Sequence, residues 1–406
     1  MKGDAHRRRD GAEAHEGDVL IRVFDNFAPL DREQWNALVD ASPSATPFMR
    51  HEYLSALADS GSTGGETGWT PQILALLDGT TLRAACPLYL KDHSYGEYVF
   101  DWAWADAYQR NGLDYYPKLL SAVPFTPVPG PRLLARDEAD RLILLKGMEA
   151  LAHQAKLSSA HVLFLDDADQ AAARQAGWMM RSTVQFHWSN RSGTPYADFS
   201  EFLQSLQREK RKKIQQERRK VAEAGVVFET RRGTQITSSD WDFFYRCYTR
   251  TYREHHSTPY LTRDFFVRMQ QTMPENWLLF IGCREGERIC ASLICIDPVR
   301  GNAYGRYWGS VAQVSCMHFE ACYYQPLAWC IANGFVSFEG GAQGEHKMAR
   351  GLSPVQTWSA HWLRHPQFAE AVSDFLKREG SAIESYIDEL NERRPFKAAA
   401  EVPPTP

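Results

Sequence analysis

Two stretches of this chain, about 208 positions apart, present the same events in the same order, and a repeat of that length constrains the architecture more than any other feature. In the first, PFMRHEYLSAL (47–57) carries apolar residues at helical spacing. Trp69 then leads the apolar run QILALLD, Asp78-Gly79 marks a turn, LRAACPLYLK follows, and YGEYVFDW closes the series. In the second, PYLTRDFFVRM (259–269) has the same apolar spacing, Trp277 leads LLFIGCR, Glu285-Gly286 turns, RICASLICID follows and YGRYWG closes. The tryptophans differ by 208, the turn glycines by 207 and the Tyr-Gly pairs by 209. Each unit therefore reads as helix, strand, tight turn, strand, turn, strand, an antiparallel meander behind a helix. The expected fold class is α+β, two tandem modules in which helices flank a mixed sheet.

Later segments close the units alike. An amphipathic helix over 143–157 precedes the apolar strand HVLFL (161–165), and HFEACYYQPLAWCIANG (318–334) precedes the apolar run Gly334, Phe335, Val336, Phe338. The aromatic-rich TVQFHWSN (183–190) leads out of the first unit. A long helix over 366–393, with Gly380 as a candidate break, ends the ordered chain. The expected divisions are a disordered tail at 1–18, modules at 19–200 and 201–365, the C-terminal helix at 366–397 and a tail at 398–406. At 406 residues the chain exceeds one ordinary core, so two modules also suit its length.

Composition bounds the partners. A formal charge of −4 excludes a chain that is basic throughout, so an anionic partner must be met by a local patch. The eight cysteines include no C-x-x-C pair and sit largely in apolar runs, the pattern of reduced core thiols in a cytoplasmic protein. No apolar run reaches the roughly 18 residues of an integral membrane segment. MKGDAHRRRDGAEAHEGD has no apolar stretch of the kind a signal peptide needs.

Two segments carry chemistry. In the first, 208–229, eight of the thirteen residues from Arg208 to Lys220 are basic, a helix expected to end near Gly225 before the strand VVFE. Such a run reads as a solvated face or as a nucleic-acid patch; Leu203, Leu206, Ile214 and Val221 could dock it, leaving Arg211, Lys212 and Lys213 for phosphates. The second is FEGGAQGEHKMARGLSP (338–354). A strand end here spills into a glycine-rich loop holding Glu339, Glu345, His346, Lys347 and Arg350.

A basic helix with K-x-x-I and following R-K residues, then A-x-x-G-V-x-F, a meander, a helix with paired tyrosines and a strand ending in Gly-Gly resembles the Fem-type peptidoglycan aminoacyltransferases. More closely, RYWG, HFEACYYQP, FEGGAQGEHKMARG, SAHW and IDELNERRPFK resemble the Fem-like group of bacterial peptidoglycan biosynthesis or recognition proteins, along most of the chain. The resemblance implies two GNAT-like modules and transfer of an acyl or aminoacyl group from acyl-CoA or aminoacyl-tRNA to a small-molecule or nucleotide-linked amine, with tRNA or an acyl carrier protein as partner. The chain departs from the pattern twice. After Trp308-Gly309 it has SVAQVSCMHFE, without the glycines that cradle a CoA pyrophosphate. Where Fem-type enzymes carry Phe-Lys after the Gly-Gly strand, it has QTWSAHW, with His361 at the lysine's place and Lys347 as the alternative.

Amine acylation needs a base and a stabilised oxyanion. The expected catalytic residues are Glu339, Glu345, His346, Lys347 and His361. Arg306, Trp308, Tyr323, Tyr324 and Arg350 are expected to line the substrate cleft, with Arg211, Lys212 and Lys213 on phosphates. The competing reading makes Tyr323 and Tyr324 core, the commoner role for such tyrosines, and Arg306 an ion-pair partner. Cys316-x-His318-x-Glu320 is no nucleophilic triad, since residues two apart on a helix point apart. No metal-ligand spacing occurs among the histidines. The alternative function is a non-catalytic binder of RNA or another anionic polymer through the basic helix.

Overall fold

A computed structural model of the protein describes residues 19–341 and 344–397; the expected tails at 1–18 and 398–406 lie outside them. In chain order the first half contributes β1 (Val19–Phe24), β2 (Trp69–Pro71), β3 (Ile73–Asp78), β4 (Thr81–Cys86), β5 (Leu88–Lys91), β6 (Lys118–Ser121), β7 (Leu134–Ala135), β8 (Ser159–Leu163) and β9 (Met179–Ser189). The second contributes β10 (Val226–Arg232), β11 (Trp277–Arg284), β12 (Glu287–Asp297), β13 (Asn302–Ser310), β14 (Ser337–Glu339) and β15 (Ser353–Leu363). The fold is α+β, with helices packed on a small antiparallel sheet and a large mixed one.

The repeated meanders form as their turn residues require. Glu285 and Gly286 both take positive φ (54° and 79°), the conformation of a tight β11–β12 hairpin, and Gly79 at 57° turns β3 into β4. Trp69 and Trp277 are both buried in one core between the halves. The units then diverge at a proline. LRAACPLYLK breaks at Pro87, which has no N–H for a ladder; β4 stays in a four-stranded sheet (β1-β3-β4-β7) while β5 joins the large one. Its counterpart RICASLICID has no proline and runs unbroken as β12.

One expected strand is absent. YGEYVFDW, the partner of YGRYWG, is a loop leading into the helix Trp102–Arg110, and β6 takes the place of the third strand. Gly96 (79°) and Tyr98 (63°) turn the chain, and Glu97 and Asp101 point inward to the buried ammonium of Lys118. Other elements shift at their ends. The helix expected over 143–157 is Glu138–Gln154, begun by Asp137 capping Asp140 N–H. The C-terminal helix runs Pro366–Glu392 without a break at Gly380. HFEACYYQPLAWCIANG includes a π-helical stretch, Glu320–Tyr324, ahead of Gln325–Ala332.

The large sheet has the order β10-β11-β12-β13-β14-β9-β15-β8-β6-β5-β2, so it crosses the expected 200/201 boundary without interruption. Within it the halves exchange strands. β9, from the first half, lies between β14 and β15, and β15, from the second, lies between β9 and β8. They pair antiparallel about Thr183 and Thr357, whose hydroxyls meet at 2.8 Å. That pair sits on a pseudo-twofold relation. β6 runs parallel to β8 as β13 does to β14. Across the exchanged strands His161 faces His361 as Glu339 faces His187.

Candidate active site

The parallel pairing of β13 and β14 lasts only from Asn302–Ser337 to Tyr304–Glu339, after which the strands part. Glu339 therefore ends at the base of a fork. Gly305 lines it so closely that an added Cβ would lie 3.3 Å from Glu339 O, and at Gly340 one would meet Leu352 at 2.7 Å. Gly305 of β13 and Gly340 of the glycine-rich segment are thus small for steric reasons.

On the fork face turned to the first half, Glu339 stands opposite His187, with Nε2 3.9 Å from Oε2. Oε2 has no hydrogen-bond partner among the described residues. Burial pushes the carboxyl up to about 8, although the Arg306 and Arg132 guanidinium groups pull it down. Burial, with Lys347 nearby, drops His187 to about 4, so its imidazole is neutral. Arg306 does not pair with Glu339. Its Nη2 donates to Phe125 O at 2.7 Å and Thr126 Oγ1 at 3.1 Å, fastening β13 to the first half.

Beyond Gly341 the chain forms a short 3₁₀ turn, Glu345–Arg350. Lys347 folds back from it, buried, and donates to Gly341 O at 2.8 Å. Burial lowers its ammonium to about 8. His346 is exposed, with Nε2 3.3 Å from Tyr323 OH, and is held below the usual imidazole range by partial burial and by Arg350, Lys347 and Lys213. The π-helical stretch explains why Tyr323 and Tyr324, adjacent in sequence, both point inward: the wider turn rotates less per residue. Tyr323 meets His346, while Tyr324 donates to Glu217 of the basic helix Arg208–Glu223.

Arg350 is committed to structure. It pairs with Glu217 at 3.0 Å, donates to His346 O at 2.6 Å and stacks on Phe319 at 3.6 Å. Ile214, Glu217 and Val221 are the buried side of the basic helix, and Arg218 pairs with Glu320 at 3.1 Å. Lys212 and Lys213 are exposed and Arg211 is half-buried. Trp308 lies at the far end of β13, edge-on to His318 at 5.1 Å, in a cleft of about 460 Å³ that also includes Arg250 and Phe319.

Glu339 stands at the fork facing His187, Lys347 packs against the next two glycines, Gly340 and Gly341, and a chain of ring contacts joins His346, Tyr323, His318 and Trp308. Two expected residues lie elsewhere. Glu345 pairs with Arg393 at 3.0 Å, and His361 is buried with its Nδ1 2.8 Å from that of His161, among the ionic groups of the first half. Sequence reading missed Gln185, His187 and Glu217. The first two alternate with Phe186 and Trp188, so a two-residue period marks a polar face on an apolar strand. Glu217 falls at helical spacing between Ile214 and Val221, which marks it as inward-facing. Among the described residues no group of three or more His, Cys, Asp or Glu could hold a metal ion, and no helix is long and apolar enough to cross a membrane.

This architecture is that of a class of two-module α+β proteins. L-PGS from Bacillus licheniformis aligns at TM-score 0.51 and 10% identity, over 86% of this chain and 97% of that one. FemX aligns at 0.51 and 10%, over 85% and 98%. The C-terminal domain of a putative lysylphosphatidylglycerol synthetase from Agrobacterium fabrum aligns at 0.50 and 11%, over 84% and 94%. No curated protein matches the sequence. Residues 26–398 match the FemAB-like model, described as peptidoglycan biosynthesis/recognition, and the chain belongs to that family.

Proposed function

We propose that this protein is an acyltransferase, moving an acyl or aminoacyl group from an activated carrier to an amine, with the chemistry at the fork between β13 and β14. The observation that carries this reading is Glu339 at its base, a buried carboxyl raised to about 8 with one oxygen unpartnered among the described residues; Lys347, whose ammonium burial lowers to about 8, packs against the neighbouring Gly340 and Gly341. Ionised Glu339 takes a proton from the acceptor ammonium, directly or through one water, and the freed amine attacks the acyl carbonyl. Lys347, still holding its proton, offers N–H bonds to the developing oxyanion beyond the one given to Gly341. The first proton leaves Glu339 to solvent; once the amine has added, Glu339 takes the second proton from the nitrogen and passes it to the leaving group as the carbon–carrier bond breaks, so amide, protonated carrier and one released proton result.

Relatives of this fold whose names include FemX and a lysylphosphatidylglycerol synthetase support an aminoacyl donor. The glycine-poor segment after Trp308 speaks against a CoA pyrophosphate there, and the exposed Lys213 near His346 suits an RNA-borne or nucleotide-linked substrate. The acceptor belongs to cell-wall chemistry on the family's description.

Transfer of label from acetyl-CoA or from charged tRNA to nucleotide-linked amines, read by mass spectrometry, tests the reading. Activity should climb as Glu339 loses its proton and fall as Lys347 loses its own, giving a narrow maximum near pH 8. Unchanged transfer by folded Glu339→Gln and Lys347→Met variants would sink the assignment. The density of cationic residues on the basic helix favours a second reading, a binder of RNA or another anionic polymer. Binding that survives those variants, collapses when Arg211, Lys212 and Lys213 become Ala, and falls steeply with salt would support it.

A further inference from the structure

We propose that Gln185 is a positioning residue for the fork: it occupies the one N–H that His187 has to give on that side, and so keeps Glu339 free of a fixed donor. This rests on the reading of Glu339 as the group that moves the proton.

The assignment follows from donors and acceptors. Gln185 is buried on β9, and its amide nitrogen donates to Pro127 O at 2.8 Å. A backbone carbonyl can only accept, so this contact fixes which end of the side chain is nitrogen. The other end, an oxygen that also can only accept, lies 3.0 Å from His187 Nε2. His187 must therefore carry its hydrogen on Nε2 and direct it to Gln185. The same Nε2 is 3.9 Å from Glu339 Oε2, beyond hydrogen-bonding distance, and that oxygen has no partner among the described residues. One hydrogen serves one strong bond. A small rotation of the ring would give it to the carboxylate instead, stabilising the ionised form.

The other groups facing this carboxyl do not replace the missing donor. Arg306, from β13, is turned to Phe125 and Thr126, and Arg132, from the first half, to Val128 and Pro131 carbonyls. Lys347 is turned to Gly341 O, and Tyr304 is the strand neighbour of Glu339. Gln185 thus sets the basicity of a group it does not touch. With no acceptor at 185, the His187 N–H closes on Glu339 and the carboxyl moves toward its ordinary range. The base would then be ionised at lower pH, but weaker.

The test needs no substrate. Glutamate labelled with ¹³C at the carboxyl is titrated by NMR in the full chain, with the Glu339 signal assigned by its loss in Glu339→Gln. Gln185→Leu should lower the Glu339 midpoint by one pH unit or more. His187→Phe alone should leave it near the wild-type value, and adding His187→Phe to Gln185→Leu should restore that value. Gln185→Met, of similar length, serves if the Leu variant does not fold. ¹⁵N shifts of His187 should report the Nε2–H form in the wild type. A midpoint unmoved by the loss of the Gln185 acceptor, or one moved by His187→Phe alone, overturns the proposal. Because the titration is independent of turnover, confirmed coupling without any acyl transfer would count against the proposed function only. Transfer without coupling would count against this inference only.

Discussion

The halves share a strand plan and differ in how they use its fork. In the first half, β6 and β8 part after Ser121 and Val162, and the chain itself fills the gap with buried Ala122, Val123, Phe125, Thr126, Val128 and Arg132. The ionisable groups nearby are turned on one another. Lys118 sits between Glu97, at 2.8 Å, and Asp101, whose carboxylate also accepts from Tyr115, and His161 is joined to His361. In the second half Glu339 occupies the position that His161 holds in the first, yet one of its oxygens has no partner among the described residues, and Lys347 makes a single bond to the Gly341 carbonyl. Duplicating a framework does not duplicate a site. What separates the two is ion pairing: Lys118 and Lys91 face Glu97 and Asp101, although Glu97 Oε1 and Asp101 Oδ1 also lack hydrogen-bond partners, whereas among the described residues Lys347 pairs with no carboxylate.

The largest effect expected concerns the framework. Chains 19–200 and 201–397, produced separately, should each fail to fold, because each lacks a strand that lies inside its own part of the sheet. Mixing them should restore dispersed NMR spectra, and a cooperatively folded isolated half would break the picture of exchange. Next comes chemistry. Glu339→Gln should reduce transfer about 10²- to 10⁴-fold, the usual range for loss of a general base. His361→Asn should leave the rate of the folded fraction unchanged while lowering stability by about 1–3 kcal/mol, as for an orphaned buried polar group. A large rate loss in the histidine variant, measured at matched folded fraction, would make the forks functional equals.

Glu217→Leu should cost about 3–5 kcal/mol in denaturant unfolding, because it strands the buried Arg350 guanidinium. Replacing Glu217 and Arg350 together by apolar residues should recover part of that. A smaller effect concerns pH. The folded state keeps the Glu339 proton up to about 8, whereas the unfolded chain releases it near the ordinary 4.5. Between those values the folded form binds the extra proton, so this group's contribution to stability falls as pH rises, by about 1.4 kcal/mol per unit. Glu339→Gln should remove that slope, so its stability relative to wild type improves from pH 5 to 8; parallel curves would mean an ordinary carboxylate. Smallest of all, Arg211, Lys212 and Lys213 changed together to Ala should alter unfolding by about 0.5 kcal/mol or less.

The repeat was legible because turn glycines and buried tryptophans are local signals, and because both meanders are built from near neighbours in sequence. The same holds for the basic helix and for Glu339 and Lys347, announced by the glycines around them. What could not be read depends on distant pairing. Nothing in TVQFHWSN or QTWSAHW states that these segments lie side by side, and only that pairing sends His361 into the first half and brings His187 to Glu339. YGEYVFDW has the composition of a strand, but Gly96 and Tyr98 take positive φ and turn the chain, which brings Glu97 and Asp101 to the buried Lys118. Arg350 looked available in sequence because its partner, Glu217, is hidden in a basic run.

The exchange of β9 and β15 also sets a schedule for the nascent chain. On the ribosome, β8 waits with one edge open until residues 353–363 have been made, nearly two hundred positions later. Such distant closure makes folding slow and leaves a strand edge exposed to other chains meanwhile. The first half cannot finish early and serve as a template for the second, so the fork acquires its walls only after residues 353–363 have been made.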